Sequence, residues 1–263
     1  MIKLVIKFIF LIFLSVSFSI ETPADKHLEK VDIINNLGEK ISRNIQITTD
    51  QGEQISLGDI LDKEIPVVLL MGYYDCPMLC SLVLNGLSKG LSESGLIPGK
   101  DYFALTVSID PNEKADLAKR KKDNYIQTYF SQIKNDFWIF STSTQENIDT
   151  LSEQLGFIYS YDKGIEEYAH PAVTYILTNE GIISNQLFGV NPTSIDLKLS
   201  ILNAQDNKIA SIFDKILLYC YRYDPEAGSY TMVASNVMKA AGLSTVFLMA
   251  ITLSLFWIKE RIT

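Results

Sequence analysis

Cys76 and Cys80 lie in Cys76-Pro77-Met78-Leu79-Cys80, where an apolar run gives way to a helical pattern. A helix N-terminus offers unpaired N–H groups and partial positive charge, which stabilise a thiolate and lower a cysteine pKa. Pro77 suits the first helical turn, where no N–H partner is needed. A spacing of four puts both side chains on one helix face, so the sulfurs can close a disulfide or grip one soft metal ion together. His170 is the one histidine inside the expected folded domain, in Tyr168-Ala169-His170-Pro171-Ala172. Two thiolates and an imidazole suit three-coordinate Cu(I), which soft ligands select, whereas structural zinc wants a fourth ligand. The bland readings are a pair of buried small side chains and a hydrogen-bonded structural histidine. With 3 Cys and 2 His in the whole chain, a disulfide scaffold or multi-metal enzyme is excluded.

The neighbours of these residues are less telling. Asp75 would raise the Cys76 pKa if close, or else faces solvent. Tyr73, Tyr74 and Tyr102 read either as walls of the site or as core; aromatic residues on buried strands are usually core, so no functional role is expected of them. His27 falls in a polar stretch and reads as solvated. Cys220, in Leu218-Tyr219-Cys220-Tyr221, reads equally as a small buried hydrophobe or a reactive third thiol and stays outside the ligand set.

The elements that must position the site follow from patterning. Ile45 to Thr48 and Gln54 to Leu57 alternate around the turn Asp50-Gln51-Gly52-Glu53, predicting a hairpin. Pro66 to Tyr73 and Tyr102 to Ile109 are near-continuous apolar runs, the pattern of strands buried on both faces. A helix is expected from Pro77 to about Leu91. A second should open at Asp110-Pro111-Asn112-Glu113, with Asp110 as N-cap and Glu113 capping back, and run toward Tyr129. Phe137 to Phe140 predicts a third strand, and Ser143-x-x-Glu146 a capping-box start to a helix that stops at Gly156. Ala172 to Leu177 and Ile182 to Phe188 form a late hairpin around Asn179-Glu180-Gly181, and a last helix begins near Pro192-Thr193. Strand and helix alternate, then a hairpin and helix close the chain. The fold class is therefore α/β, a central mixed sheet with helices on both faces. A loop entering a strand can lie beside another strand's carboxyl end, so His170 can meet the cysteines there.

The ends carry targeting signals. Lys3 and Lys7 precede an apolar stretch from Phe8 to Ile20 that closes in Ser17-Phe18-Ser19, predicting a signal peptide over 1–20, or an uncleaved anchor. Ala240 to Ile258 is uncharged, with Trp257 at its edge and Lys259 and Arg261 beyond, which predicts a transmembrane helix over 239–258 and a cytoplasmic tail over 259–263. A polar segment (21–39), a folded domain (40–210) and a juxtamembrane segment (211–238) would then lie outside the cytoplasm. Of the 263 residues, 31 are Asp or Glu against 23 Lys or Arg, a net charge of −8 that argues against nucleic acid as a partner.

Three segments, GYYDCPMLCSLVLNGL, VSIDPNE and AHPAVTYILTNEGIISNQLFGV, in this order and spacing, resemble the SCO/SenC family of copper-binding cytochrome c oxidase assembly proteins. The likeness spans about residues 40 to 205. CYRYDPEAGSYT ahead of the final apolar run resembles tail-anchored bacterial members. The resemblance implies a thioredoxin-like fold that binds a copper ion through Cys76, Cys80 and His170 and helps assemble the copper A centre of cytochrome c oxidase, whose copper A subunit would be the membrane partner. A thiol reductant or a copper donor protein would be a further partner. Many members have CPxxCP; here Ser81 follows the second cysteine. The copper A subunit itself needs a histidine where this chain has Leu84, so the chain can serve such a site but does not contain one. Its function is expected to be a copper chaperone on the periplasmic, or extracytoplasmic, membrane face. The alternative is an enzyme, a membrane-anchored thiol–disulfide oxidoreductase in which Cys76 attacks and Cys80 resolves.

Overall fold

The computed structural model describes residues 31–76, 79–133, 135–164 and 166–209, with short stretches at 221–224, 229–232, 242–246 and 248–249. The expected signal peptide and most of the expected transmembrane segment lie outside the described residues. Among those described, no helix is long and apolar enough to cross a membrane.

In chain order the elements begin with β1 (Asp32–Ile33), β2 (Gln46–Thr49), β3 (Gln54–Ser56) and α1 (Leu57–Leu61). Next come β4 (Val67–Gly72), α2 (Leu79–Glu93), β5 (Phe103–Ser108) and α3 (Ala115–Tyr129). The chain continues through β6 (Trp138–Thr142), α4 (Gln145–Leu155), β7 (Phe157–Ile158), β8 (Ser160–Asp162) and β9 (Glu167–Ala169). It then forms β10 (Val173–Leu177), β11 (Ile183–Phe188), α5 (Ser194–Gln205), β12 (Tyr221–Asp224) and β13 (Ser229–Met232).

Seven strands form one mixed sheet in the order β11-β10-β4-β5-β6-β2-β3. β4, β5 and β6 run parallel; β10 and β2 flank them antiparallel, with β11 and β3 hairpinned outside. β4 and β5 are buried at every position, as their unbroken apolar sequences require of central strands covered on both faces. Alternation divides β4 between two cores: Val67, Leu69 and Met71 pack with Ile148, Leu151 and Leu155 of α4, while Val68 and Leu70 pack with residues of α2, α3 and α5.

α2 lies close to the turn before α5 because Gly86 and Gly90 have no side chains. A Cβ on Gly86 would stand 2.0 Å from the Val190 carbonyl oxygen, and one on Gly90 2.7 Å from that of Pro192. A second constraint is a buried ion pair in which Lys122 Nζ donates to both Asp50 carboxylate oxygens at 3.1 and 3.0 Å, tying α3 to the β2–β3 turn.

Two helix starts differ from expectation. Thr144, not Ser143, caps α4 by accepting from the Asn147 N–H; the Ser143 hydroxyl instead donates to the Gln46 carbonyl at 2.5 Å. α3 begins at Ala115, and its N-cap Lys114 makes no side-chain cap. Asp110 accepts from the Asn112 N–H at 2.8 Å, so Asp110-Pro111-Asn112-Glu113 is a turn and not a helix start. The helix stop holds: Gly156 is the left-handed C-cap of α4 at φ 69°, and a Cβ there would lie 2.2 Å from the Ile34 carbonyl oxygen.

Candidate metal centre

Strand register brings the distant site residues to one end of the sheet. Thr174 pairs with Leu70 across the antiparallel β10–β4 ladder. Following the two chains in opposite directions from that pair carries His170 toward the segment that runs from β4 to Cys76. The parallel β4–β5 ladder pairs Gly72 with Ser108, so the Asp110–Glu113 turn follows the same segment on its other side. The site thus lies beyond the carboxyl ends of β4 and β5, where loops rather than ladders set side-chain directions.

Cys76 is buried, 8% exposed, and belongs to the core cluster that also holds Tyr73 and Met71. Asp75 beside it is exposed. Cys80 is the second residue of α2; its side chain lies outside the described set. Among the described residues, no group of three or more His, Cys, Asp and Glu side chains is arranged to hold a metal ion.

His170 is 7% exposed, with its ring between Phe157 and Tyr73 at centroid distances of 6.0 and 6.1 Å. Its Nδ1 lies 3.0 Å from the Pro171 carbonyl oxygen. A carbonyl can only accept, so Nδ1 carries the proton and Nε2 the lone pair, the tautomer a metal ligand needs. Burial holds the His170 pKa below its ordinary value, opposed by the Pro171 bond and by the nearby Cys76. The imidazole is therefore neutral, as ligation requires, and it is close enough to Cys76 to feel it electrostatically. A narrow apolar crevice runs beneath this junction, with Met71, Tyr73, Leu84, Thr106 and His170 among its walls.

Tyr73 packs edge-on against both His170 and Tyr168, so of the two readings open for it, it takes both, a wall of the site as well as core. Sequence patterning missed two further contributors. Tyr159, Tyr161 and Tyr168 form an aromatic group around the β8–β9 hairpin that leads into His170. Glu113, in the turn before α3, accepts from the backbone N–H groups of Tyr74 and Asp75 at 2.9 and 2.7 Å. Burial raises the Glu113 pKa, against hydrogen bonds from Ser108, Tyr74 and Asp75 that lower it. The apolar and aromatic patterns gave no sign that a carboxylate would cross between loops. Tyr74 and Tyr102 are core, as expected; the Tyr74 hydroxyl donates to the Ser141 carbonyl at 2.7 Å.

Residues 35–197 match the SCO1/SenC family model, well over half of the chain. The chain belongs to the SCO1/SenC family. No curated protein matches it in sequence. A solved protein from Aquifex aeolicus VF5 is similar to it at TM-score 0.57 and 23% identity, covering 65% of this chain and 95% of that one. A SCO1/SenC family lipoprotein from Bacillus anthracis is similar at TM-score 0.52 and 16% identity, covering 64% and 96%. BsSco, described as a member of the Sco family of cytochrome c oxidase assembly proteins with a disulfide switch, is similar at TM-score 0.52 and 19% identity, covering 67% and 99%. The mixed sheet flanked by helices is the fold of these SCO proteins. In this SCO1/SenC chain Leu84 is buried at 3% exposure, one helical turn beyond Cys80.

Proposed function

We propose that the chain is a copper-binding assembly factor that uses Cys76, Cys80 and His170 as ligands and serves the copper A site of cytochrome c oxidase. The observation that carries this is the meeting of buried Cys76 with buried, neutral His170, 94 positions later in the chain. Family membership supports it. Two thiolates and a neutral imidazole form a soft set suited to Cu(I), and metal enters only when the sulfurs are reduced. Copper is the cargo here: it would pass to the client by ligand exchange, with Cys76 and Cys80 giving up their bonds as the client's thiolates form theirs.

The proposed setting is the extracytoplasmic membrane face. Residues 242–246 and 248–249 are helical, and Leu243, Val246, Leu248 and Met249 expose apolar side chains, which supports an anchor over 239–258. An anchored donor meets a membrane-bound copper A subunit at raised effective concentration, so modest affinity suffices.

A second reading, thiol–disulfide exchange by the same pair, is favoured by the position of Cys76 three residues ahead of α2. Anaerobic Cu(I) competition against a chromophoric chelator separates the two. One tight equivalent is expected for the reduced chain, weakened by His170→Ala and lost in Cys76→Ser/Cys80→Ser. Weak binding indifferent to His170 would leave disulfide exchange as the function.

A further inference from the structure

The Glu113 carboxylate ties the loop that carries Cys76 to the end of β5. One carboxylate oxygen accepts from the Asp75 N–H at 2.7 Å. The other accepts from the Tyr74 N–H at 2.9 Å and from the Ser108 hydroxyl at 2.5 Å. A partly buried carboxylate is costly unless hydrogen-bonded, and here two of its three bonds fix the backbone immediately before the thiol.

The arrangement costs the protein elsewhere. Asp110-Pro111-Asn112-Glu113 has the residue pattern of a helix start, yet α3 begins later, with Lys114 as an N-cap that makes no side-chain bond. A local rule of helix capping is broken, and such breaks gather at functional sites. The same turn also faces the histidine side. The Tyr168 phenol, two residues before His170, feels both the Asp110 and Glu113 carboxylates, and its ring packs on Tyr73 at 5.4 Å. One turn thus touches both segments that deliver ligands.

We infer that Glu113 is a positioning residue for Cys76: held by Ser108, its carboxylate fixes the backbone of Tyr74 and Asp75 and so sets where Cys76 meets His170. This rests on the ligand set proposed above. Groups that orient metal ligands from behind typically alter metal affinity 10- to 100-fold when removed. Glu113→Ala should therefore weaken Cu(I) binding by the full chain about tenfold or more. Glu113→Gln, which keeps one acceptor oxygen, should recover part of that loss, and Ser108→Ala should show a smaller one.

The test is Cu(I) competition on the reduced full-length chain and these variants, with amide hydrogen exchange at Tyr74 and Asp75 and glutathione exchange measured alongside. Faster exchange at those two amides, with unchanged protection in β4 and β5, is expected together with the affinity loss. Affinity within twofold of wild type in Glu113→Ala overturns the inference. So does a loss accompanied by faster exchange throughout the sheet, because the effect is then global destabilisation. If the wild-type chain itself ignores Cu(I), the copper reading alone fails. The positioning role then stands or falls on whether Glu113→Ala shifts the glutathione equilibrium tenfold, about 30 mV.

Discussion

His170 is buried by Phe157 and Tyr73, and the same burial keeps its imidazole neutral. That has a consequence for stability. The unfolded chain takes up a proton near the ordinary histidine value of 6.5, while the folded chain resists until lower pH. Below that value the unfolded state binds more protons, so the stability contributed by neutral His170 is complete above 6.5 and is lost as pH falls toward the folded value. Urea unfolding of the metal-free chain should show its midpoint dropping between neutral and mildly acidic pH, with His170→Leu reducing that drop; equal slopes for the two proteins would refute it. Residue type and scarcity alone nominate His170, Cys76 and Cys80 as candidate ligands in the sequence. The site role of Glu113 was not legible there. The backbone donors to Glu113 lie 38 and 39 positions away, beyond any local rule.

At the scale of elements, the central strands, α2 and the late hairpin follow from apolar runs and turn residues that act locally. The short strands β1 and β7 to β9 did not, because two- and three-residue pairings carry too little alternation to stand out. They matter here, since the β8–β9 hairpin delivers His170. α2 offers a sharp test. Gly→Ala in an open helix normally stabilises by about 0.5–1 kcal/mol. At Gly86 the new Cβ would meet backbone of Val190 and Asn191, which cannot turn aside, so Gly86→Ala should instead destabilise by about 1–3 kcal/mol. It should also weaken copper binding, because α2 carries the proposed ligand Cys80. A stabilised variant in urea titration would show that the approach of helix and turn is looser than described. The Asp50–Lys122 pair gives a second test. Asp50→Ala leaves a buried ammonium unpaired and should cost about 3–5 kcal/mol, whereas Asp50→Leu/Lys122→Met should recover most of it. A double variant as unstable as the single one would mean that the pair's hydrogen bonds, including Gln51 to Asp50 at 2.7 Å, matter more than its charge balance.

For the whole molecule, the parallel centre and antiparallel flanks of the sheet bring three distant segments to one end. The first follows β4, the second β5, and the third precedes β10. The mixed α/β class was legible from strand and helix order, while the convergence of His170 with Cys76 needed register, which patterning alone does not provide. The proposed anchor over 239–258 is open to a truncation test. A chain ending after residue 238 should leave the membrane fraction if 239–258 is the only anchor, and retention would assign anchoring to 1–20 instead.

The central claim is that two sulfurs and one imidazole nitrogen hold one copper ion. X-ray absorption at the copper edge on the one-to-one Cu(I) complex of the reduced chain reads that ligand set directly. The spectrum should fit two sulfur scatterers and one imidazole, and His170→Ala should lose the imidazole while keeping both sulfurs. A wild-type spectrum of sulfur alone, unchanged by His170→Ala, would contradict it.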